Sequence, residues 1–168
     1  MGGIYLLLGG NIGNRASYLK MAAEKISMLI GKITGKSSVY ETEPWGFRHE
    51  TPFFNQLLIT DTRLEPDTLL KALKAIEDKL GRIRSDKEYS ARTIDIDILF
   101  YNDRIIRQSN LIIPHPELHK RRFALEPLAE VNPTLVHPVF KRTVADLLSE
   151  CADNSSVRKL QKGEIERN

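Results

Sequence analysis

An α+β domain on an antiparallel sheet is what this sequence predicts, and three observations carry the prediction. Short apolar or alternating runs, too brief for buried helices, occur at residues 4–8, 33–40, 54–60 and 93–100. Two longer segments between them repeat apolar residues at helical spacing and close on a glycine. Their order is β-α-β-β-α-β, with loops between rather than a continuous run of strands.

Each element has its own warrant. Residues 4–8 (Ile-Tyr-Leu-Leu-Leu) are apolar throughout, as a strand buried on both faces requires. Gly9-Gly-Asn-Ile-Gly-Asn14 turns the chain, and Asn14 is an N-cap residue type. Leu19, Ala22, Ala23, Ile26, Leu29 and Ile30 then form one helical stripe, which Gly31 is expected to close. Residues 33–40 predict the second strand. Two prolines and a glycine make 41–52 a loop, and 54–60 is the third strand. Pro66 suits a first helical position, with Leu69, Leu73, Ile76 and Leu80 on the buried face and Gly81 ending the helix. Lys71, Lys74 and Lys79 fall on its solvated face. In the fourth strand Ile94, Ile96 and Ile98 alternate with Thr93, Asp95 and Asp97.

This order is the split β-α-β pattern of ferredoxin-like folds. Beyond it, residues 104–113 suggest a hairpin extension and 122–129 a short helix, and Thr143-Val-Ala-Asp146 reads as a capping box. The expected organisation is one domain over 1–150 and a polar, frayed C-terminal tail over 151–168.

Composition narrows the class. The chain has 168 residues, 41% hydrophobic and 28% charged, enough for one sizeable core. Its net charge of +3 fits a small anionic ligand as well as nucleic acid. A single cysteine, Cys151, excludes an internal disulfide and a cysteine-based metal site. The start lacks a basic n-region, and no run approaches the length of a membrane span, so a cytoplasmic protein is expected.

The acidic strand is the most informative segment for function. At ~3.3 Å per residue, Asp95 and Asp97 stand roughly 6.6 Å apart on one face. Alone, such a pair fits a solvent-facing strand. Here Gly81-Arg-Ile-Arg-Ser-Asp-Lys-Glu-Tyr-Ser-Ala-Arg92 places four cations just before it, and His115 and His119-Lys-Arg-Arg122 follow. Carboxylates for Mg²⁺ beside cations for anions suit a nucleoside triphosphate with its metal. Residues 9–13 lack the Lys-Ser/Thr ending of a phosphate loop, so a turn with a helix cap is the stronger reading. The four histidines are too scattered for zinc, and His137 beside Pro138 reads as a loop residue. Trp45, Phe47, Phe53 and Phe54 cluster around the proline-rich loop. They suit either a core cover or a stack for a flat heterocycle, with Asn55 reading its edge.

These segments together resemble the 6-hydroxymethyl-7,8-dihydropterin pyrophosphokinase family. The carrying motifs are Gly-Gly-Asn (9–11), Tyr-Glu-Thr-Glu-Pro-Trp-Gly (40–46), Phe-Phe-Asn (53–55) and Ile-Glu-Asp-Lys-Leu-Gly-Arg (76–82). Arg-Thr-Ile-Asp-Ile-Asp-Ile-Leu (92–99), Ile-Pro-His-Pro (113–116) and Arg-Arg-Phe-Ala-Leu-Glu-Pro-Leu (121–128) complete them.

The resemblance implies a ferredoxin-like core and, as small-molecule partners, ATP and hydroxymethyldihydropterin. It implies two Mg²⁺ ions and transfer of pyrophosphate to the pterin hydroxymethyl group with release of AMP, in folate biosynthesis. By position, Asp95 and Asp97 would bind the metals, and Arg82 and Arg92 would support charge on the transferred group. Glu77, Arg84, Tyr89, Ile98, His115 and Arg121 would contact ATP. Phe53 and Phe123 would sandwich the pterin, with Thr42, Pro44, Trp45 and Asn55 at its edge. Ser85, Tyr89, Asn110 and Pro116 depart from the family pattern, which bears on nucleotide grip and not on the metal acids.

Two other classes are weighed against it. An RNA-binding module would carry an aromatic strand where this chain places two acids. The other is a non-catalytic ferredoxin-like regulatory domain that merely binds a nucleotide or metabolite, against which the full set of acids, arginines and aromatics argues. No nucleic acid, membrane or obligate protein partner is expected.

Overall fold

The computed structural model describes residues 2–81 and 92–167; Arg82, Arg84, Tyr89 and the rest of the basic segment up to residue 91 lie outside the described residues. A six-stranded antiparallel sheet organises the chain. Its order is β5 (Asp95–Tyr101), β1 (Ile4–Gly10), β4 (Phe53–Thr62), β3 (Tyr40–Thr42) and β8 (Val157–Lys159), with β2 (Gly31–Lys36) also on β4.

Both faces of the sheet are covered, which explains why β1 is buried at every position. Ile4, Leu6 and Leu8 pack with Leu19, Ile26, Leu73 and Ile76 of α1 (Arg15–Leu29) and α2 (Pro66–Lys79). Tyr5 and Leu7 face the other way, toward Leu125, Leu128 and Leu147 of α3 (Arg122–Val131) and α4 (Val144–Ser149). On β5, Ile96 and Ile98 join the first cluster, so Asp95 and Asp97 look toward the α3 side.

The local signals behave as their chemistry requires. The Asn14 side chain accepts from the Ser17 amide at 3.0 Å, and Thr143 caps α4 by accepting from the Asp146 amide at 3.1 Å. Pro66 starts α2, Gly81 follows it at φ 83°, and Lys71, Lys74 and Lys79 are exposed. The pair β6 (Ile106–Arg107) and β7 (Ile112–Ile113) forms a separate two-stranded sheet.

Five expectations change. Gly31 is the first residue of β2 rather than a left-handed cap, and Leu29 lies off the buried stripe. The strand expected over 33–40 is two strands, because at Ser37 a side chain enters the pairing. Its hydroxyl oxygen accepts from the Leu57 amide at 2.9 Å, while its own amide donates to the Leu57 carbonyl. The loop begins after Thr42, since Tyr40–Thr42 pairs with β4. Residues 151–168 are not a frayed tail. They supply β8, the buried Leu160 and α5 (Lys162–Glu166). Among the described residues no helix is long and apolar enough to cross a membrane.

Candidate active site

The sheet register builds the site. Gly9 of β1 stands opposite Asp95 on one side and Asn55 on the other. Neighbouring strands lie ~4.8 Å apart, so the carboxylate strand and the amide are separated by roughly 10 Å across the glycine. A Cβ on Gly9 would fall 2.2 Å from the Asn55 Oδ1, so the bare glycine is the floor of a cleft. Gly10 is constrained differently, for its Cβ would fall 2.1 Å from the Thr93 carbonyl oxygen. Both glycines are thus required by space rather than by a left-handed backbone.

A pocket of about 480 Å³, counting its open mouth, occupies this cleft. On its β5 side stand Arg92, Asp95 and Asp97, on its β4 side Thr42, Trp45, Phe53 and Asn55, and Arg121 and Phe123 line it from the start of α3. The buried Asn55 amide donates to the Thr42 hydroxyl at 2.7 Å, which leaves its carbonyl oxygen directed toward Gly9 and the cleft. Phe47 meets Phe53 edge to face at 5.9 Å, and the Arg121 guanidinium lies 4.6 Å from the Trp45 ring.

At the charged end the Arg92 guanidinium donates to Asp95 at 2.8 Å. Partial enclosure and the neighbouring Asp95 charge push Asp97 well above the usual carboxylate range, against Arg121 and Arg92. A crowded pair of this kind is what a divalent cation relieves. Among the described residues no three His, Cys, Asp or Glu side chains gather as a cage. Two carboxylates on one strand face fit Mg²⁺, which takes few protein ligands and completes its shell with water and phosphate oxygens. Burial, with the Arg121 charge, pushes His115 down to about 4. Its Nδ1 accepts from the Glu117 amide at 3.2 Å, so the neutral ring carries its proton on Nε2 and can donate it to an anion.

Other expected residues lie at one remove. Glu77 is buried beneath β5 and accepts the Ile96 amide at 2.8 Å. The Ile98 side chain packs in the core, so what it presents to a ligand is backbone on β5, an edge strand. Pro44 is half-buried in the loop and does not line the pocket.

Asn11, Glu43 and Phe47 escaped the expected site list. Asn11 is 2% exposed and holds both sides of Arg92: its Oδ1 accepts the Arg92 amide at 2.9 Å, and its amide donates to the Arg92 carbonyl at 2.9 Å. Its Nδ2 also donates to the Thr51 carbonyl at 3.2 Å, tying the aromatic loop to the acidic strand. The signal for it was the Gly-Gly-Asn motif, counted as a turn and among the family motifs but given no role in the site.

Residues 5–133 match the model of the family described as 7,8-dihydro-6-hydroxymethylpterin-pyrophosphokinase (HPPK). The 2-amino-4-hydroxy-6-hydroxymethyldihydropteridine pyrophosphokinase of Aquifex aeolicus is 40% identical over 150 residues, 89% of this chain and 92% of that protein. The folic acid synthesis protein fol1 of Pneumocystis carinii is 39% identical over 90% of this chain, which spans only 20% of it. Among solved structures, Plasmodium falciparum HPPK-DHPS superposes with a TM-score of 0.73 at 20% identity, over 89% of this chain and 43% of that one.

Proposed function

The chain belongs to the 7,8-dihydro-6-hydroxymethylpterin-pyrophosphokinase family, and from that premise we propose that it moves pyrophosphate from ATP to the hydroxymethyl group of 6-hydroxymethyl-7,8-dihydropterin, releasing AMP, in folate biosynthesis. The observation that carries this is one cleft with an aromatic and amide end and a carboxylate and arginine end, joined across Gly9. We take the β-α-β-β-α-β core as ferredoxin-like, on the observed order β5-β1-β4-β2, and residues 1–150 as the pyrophosphokinase domain.

In this mechanism the pterin lies between Phe53 and Phe123, and Asn55 Oδ1 accepts a hydrogen bond from its donor edge. Trp45 and Thr42 close the rim, with Pro44 shaping the loop that carries Trp45. The hydroxymethyl oxygen attacks the β-phosphorus of ATP. The bond from that phosphorus to the α,β-bridging oxygen breaks, and the alcohol proton is lost to solvent. Positioning and charge neutralisation supply most of the catalysis in such a transfer.

Asp95 and Asp97 would hold two Mg²⁺ ions, which neutralise the phosphates and the developing charge when bound. Arg92 is fixed by Asn11 and Asp95 at the acidic end of the cleft, where it stabilises the transferred group together with Arg82. Arg121 and the Nε2 proton of neutral His115 grip the triphosphate. Glu77, by taking the Ile96 amide, sets the edge of β5 against which the nucleotide base lies, at Ile98. Arg84 and Tyr89 join that nucleotide contact, and the basic segment between Gly81 and Arg92 closes over the phosphates and excludes water.

One assay tests the reading. Protein, ATP, Mg²⁺ and the reduced pterin should give AMP and diphosphorylated pterin in equal amounts, and neither without pterin or Mg²⁺. Release of ADP, or no pterin-dependent AMP, overturns it.

A further inference from the structure

The C-terminal segment lies beyond the family match and touches both walls of the pocket. On one wall, the Asp153 carboxylate accepts the Arg122 amide at 3.1 Å, and the Asp153 carbonyl accepts from the Arg122 Nε at 2.8 Å. This caps α3 from 31 residues away, since Arg121 at the N-cap position provides no side-chain cap. The first turn it fixes carries Arg121 and Phe123. On the other wall, the Ser156 amide donates to Glu43 Oε1 at 2.9 Å, and the Glu43 amide donates to the Ser156 carbonyl at 3.3 Å. β8 then pairs with β3, Val157 opposite Thr42. Ser155 stiffens the span between the walls: its amide and hydroxyl donate to Asp153 Oδ1 at 2.9 and 2.6 Å.

We propose that residues 153–159 are a positioning strap that sets the separation of the two pocket walls, with Asp153 as its principal residue. This rests on the pterin-site assignment above. The strap joins the wall of Phe123 to the wall of Thr42 and Trp45, so it fixes the slot width a flat heterocycle must fit. None of its residues lines the pocket that holds Asp95 and Asp97. Burial alone would raise the Asp153 carboxyl, but the bonds from Ser155 and Arg122 hold it below the usual range, so it acts as a charged acceptor.

Trp45 is the chain's single tryptophan and lines the slot, so its emission reports the geometry directly. Asp153→Ala should shift the ligand-free emission to longer wavelength as the Arg121 and Trp45 walls part. It should raise the pterin KM about 3- to 10-fold, one charge-assisted bond being only partly transmitted to the pocket, with kcat within about twofold. Asp153→Asn keeps one of the two accepting oxygens and loses the charge, so both readouts should fall between those of wild type and Asp153→Ala. Ser155→Ala, which loosens Asp153 without removing it, should give the same changes at smaller size.

A lowered Tm with wild-type emission and pterin KM would overturn the strap and leave only a structural staple. An Asp153→Asn protein no closer to wild type than Asp153→Ala would overturn the hydrogen-bonding role. If wild-type protein makes no AMP, the functional reading falls, while the emission comparison still judges the strap.

Discussion

Replacing Gly9 with alanine separates two kinds of glycine requirement. The new Cβ would sit 2.2 Å from Asn55 Oδ1. Ordinary contact begins near 3.4 Å, so the amide must retreat by the difference, about 1.2 Å. The displaced atom is the end of a rotatable side chain, so the fold should accommodate the change at about 1–3 kcal/mol. The pocket should not. Swinging the amide away breaks its 2.7 Å bond to Thr42 and removes the acceptor aimed into the cleft. Losing one buried hydrogen bond costs roughly 1–3 kcal/mol, which at 1.4 kcal/mol per decade is about 5- to 140-fold in pterin Kd. Calorimetric titration with pterin should show that loss, while ATP with Mg²⁺ binds within about twofold. Gly10→Ala should behave oppositely, because its Cβ would meet the Thr93 backbone oxygen, which cannot rotate aside, and should lower Tm sharply. A folded Gly9→Ala protein with wild-type pterin affinity would refute the idea that Gly9 is the pocket floor.

Three other outcomes follow from the same geometry. Asp97 is raised by burial and by Asp95, so the native state holds protons the unfolded chain has lost, and stability from this group falls as pH rises above the ordinary carboxylate pKa. Asp97→Asn should therefore raise the Tm of ligand-free protein at pH 8, by ~2–4 °C per kcal/mol relieved, yet lower kcat ~10²–10³-fold; an unchanged kcat at saturating Mg²⁺ would remove Asp97 from the metal site. Phe53→Ala and Phe123→Ala should each weaken pterin binding by ~0.5–1.5 kcal/mol beyond lost area, and calorimetry showing neither effect would place the stack elsewhere. Burial pushes His115 and His137 down to about 4, so each stays neutral in the fold and charges more readily when unfolded. Their contribution is intact above about pH 6.5 and is lost as pH falls toward 4. Urea titrations at pH 7, 5.5 and 4.5 should show that decline, and it should flatten in His137→Gln.

What the sequence disclosed was whatever depends on local pattern. Alternation in residues 94–98 put isoleucines into the core and both aspartates on the α3 side, and the helical stripes named most of the residues that cover the other face. Aromatics and Asn55 near one loop, and cations near one strand, were legible as two chemical groups. That they share one cleft was not, because only the pairing of β5, β1 and β4 brings them together. Ser37 shows the same limit on a smaller scale. A hydroxyl able to take a strand's place in a ladder leaves no periodic trace, so β2 and β3 read as one element.

The C-terminal segment was misread for a related reason. It is polar, and polarity alone predicted fraying. Polar side chains can also be the means of attachment, when their partners are backbone groups that secondary structure leaves unpaired. The first amides of α3 have no partner within the helix, and β3 offers an open edge. Asp153 supplies one of those needs and residues 157–159 supply the other, so the two deficits on the pocket's opposite walls are met by one short stretch of chain. A tail that served solubility alone would have no reason to satisfy both. Its sequence therefore bears on the slot between those walls, although none of its residues lines the pocket.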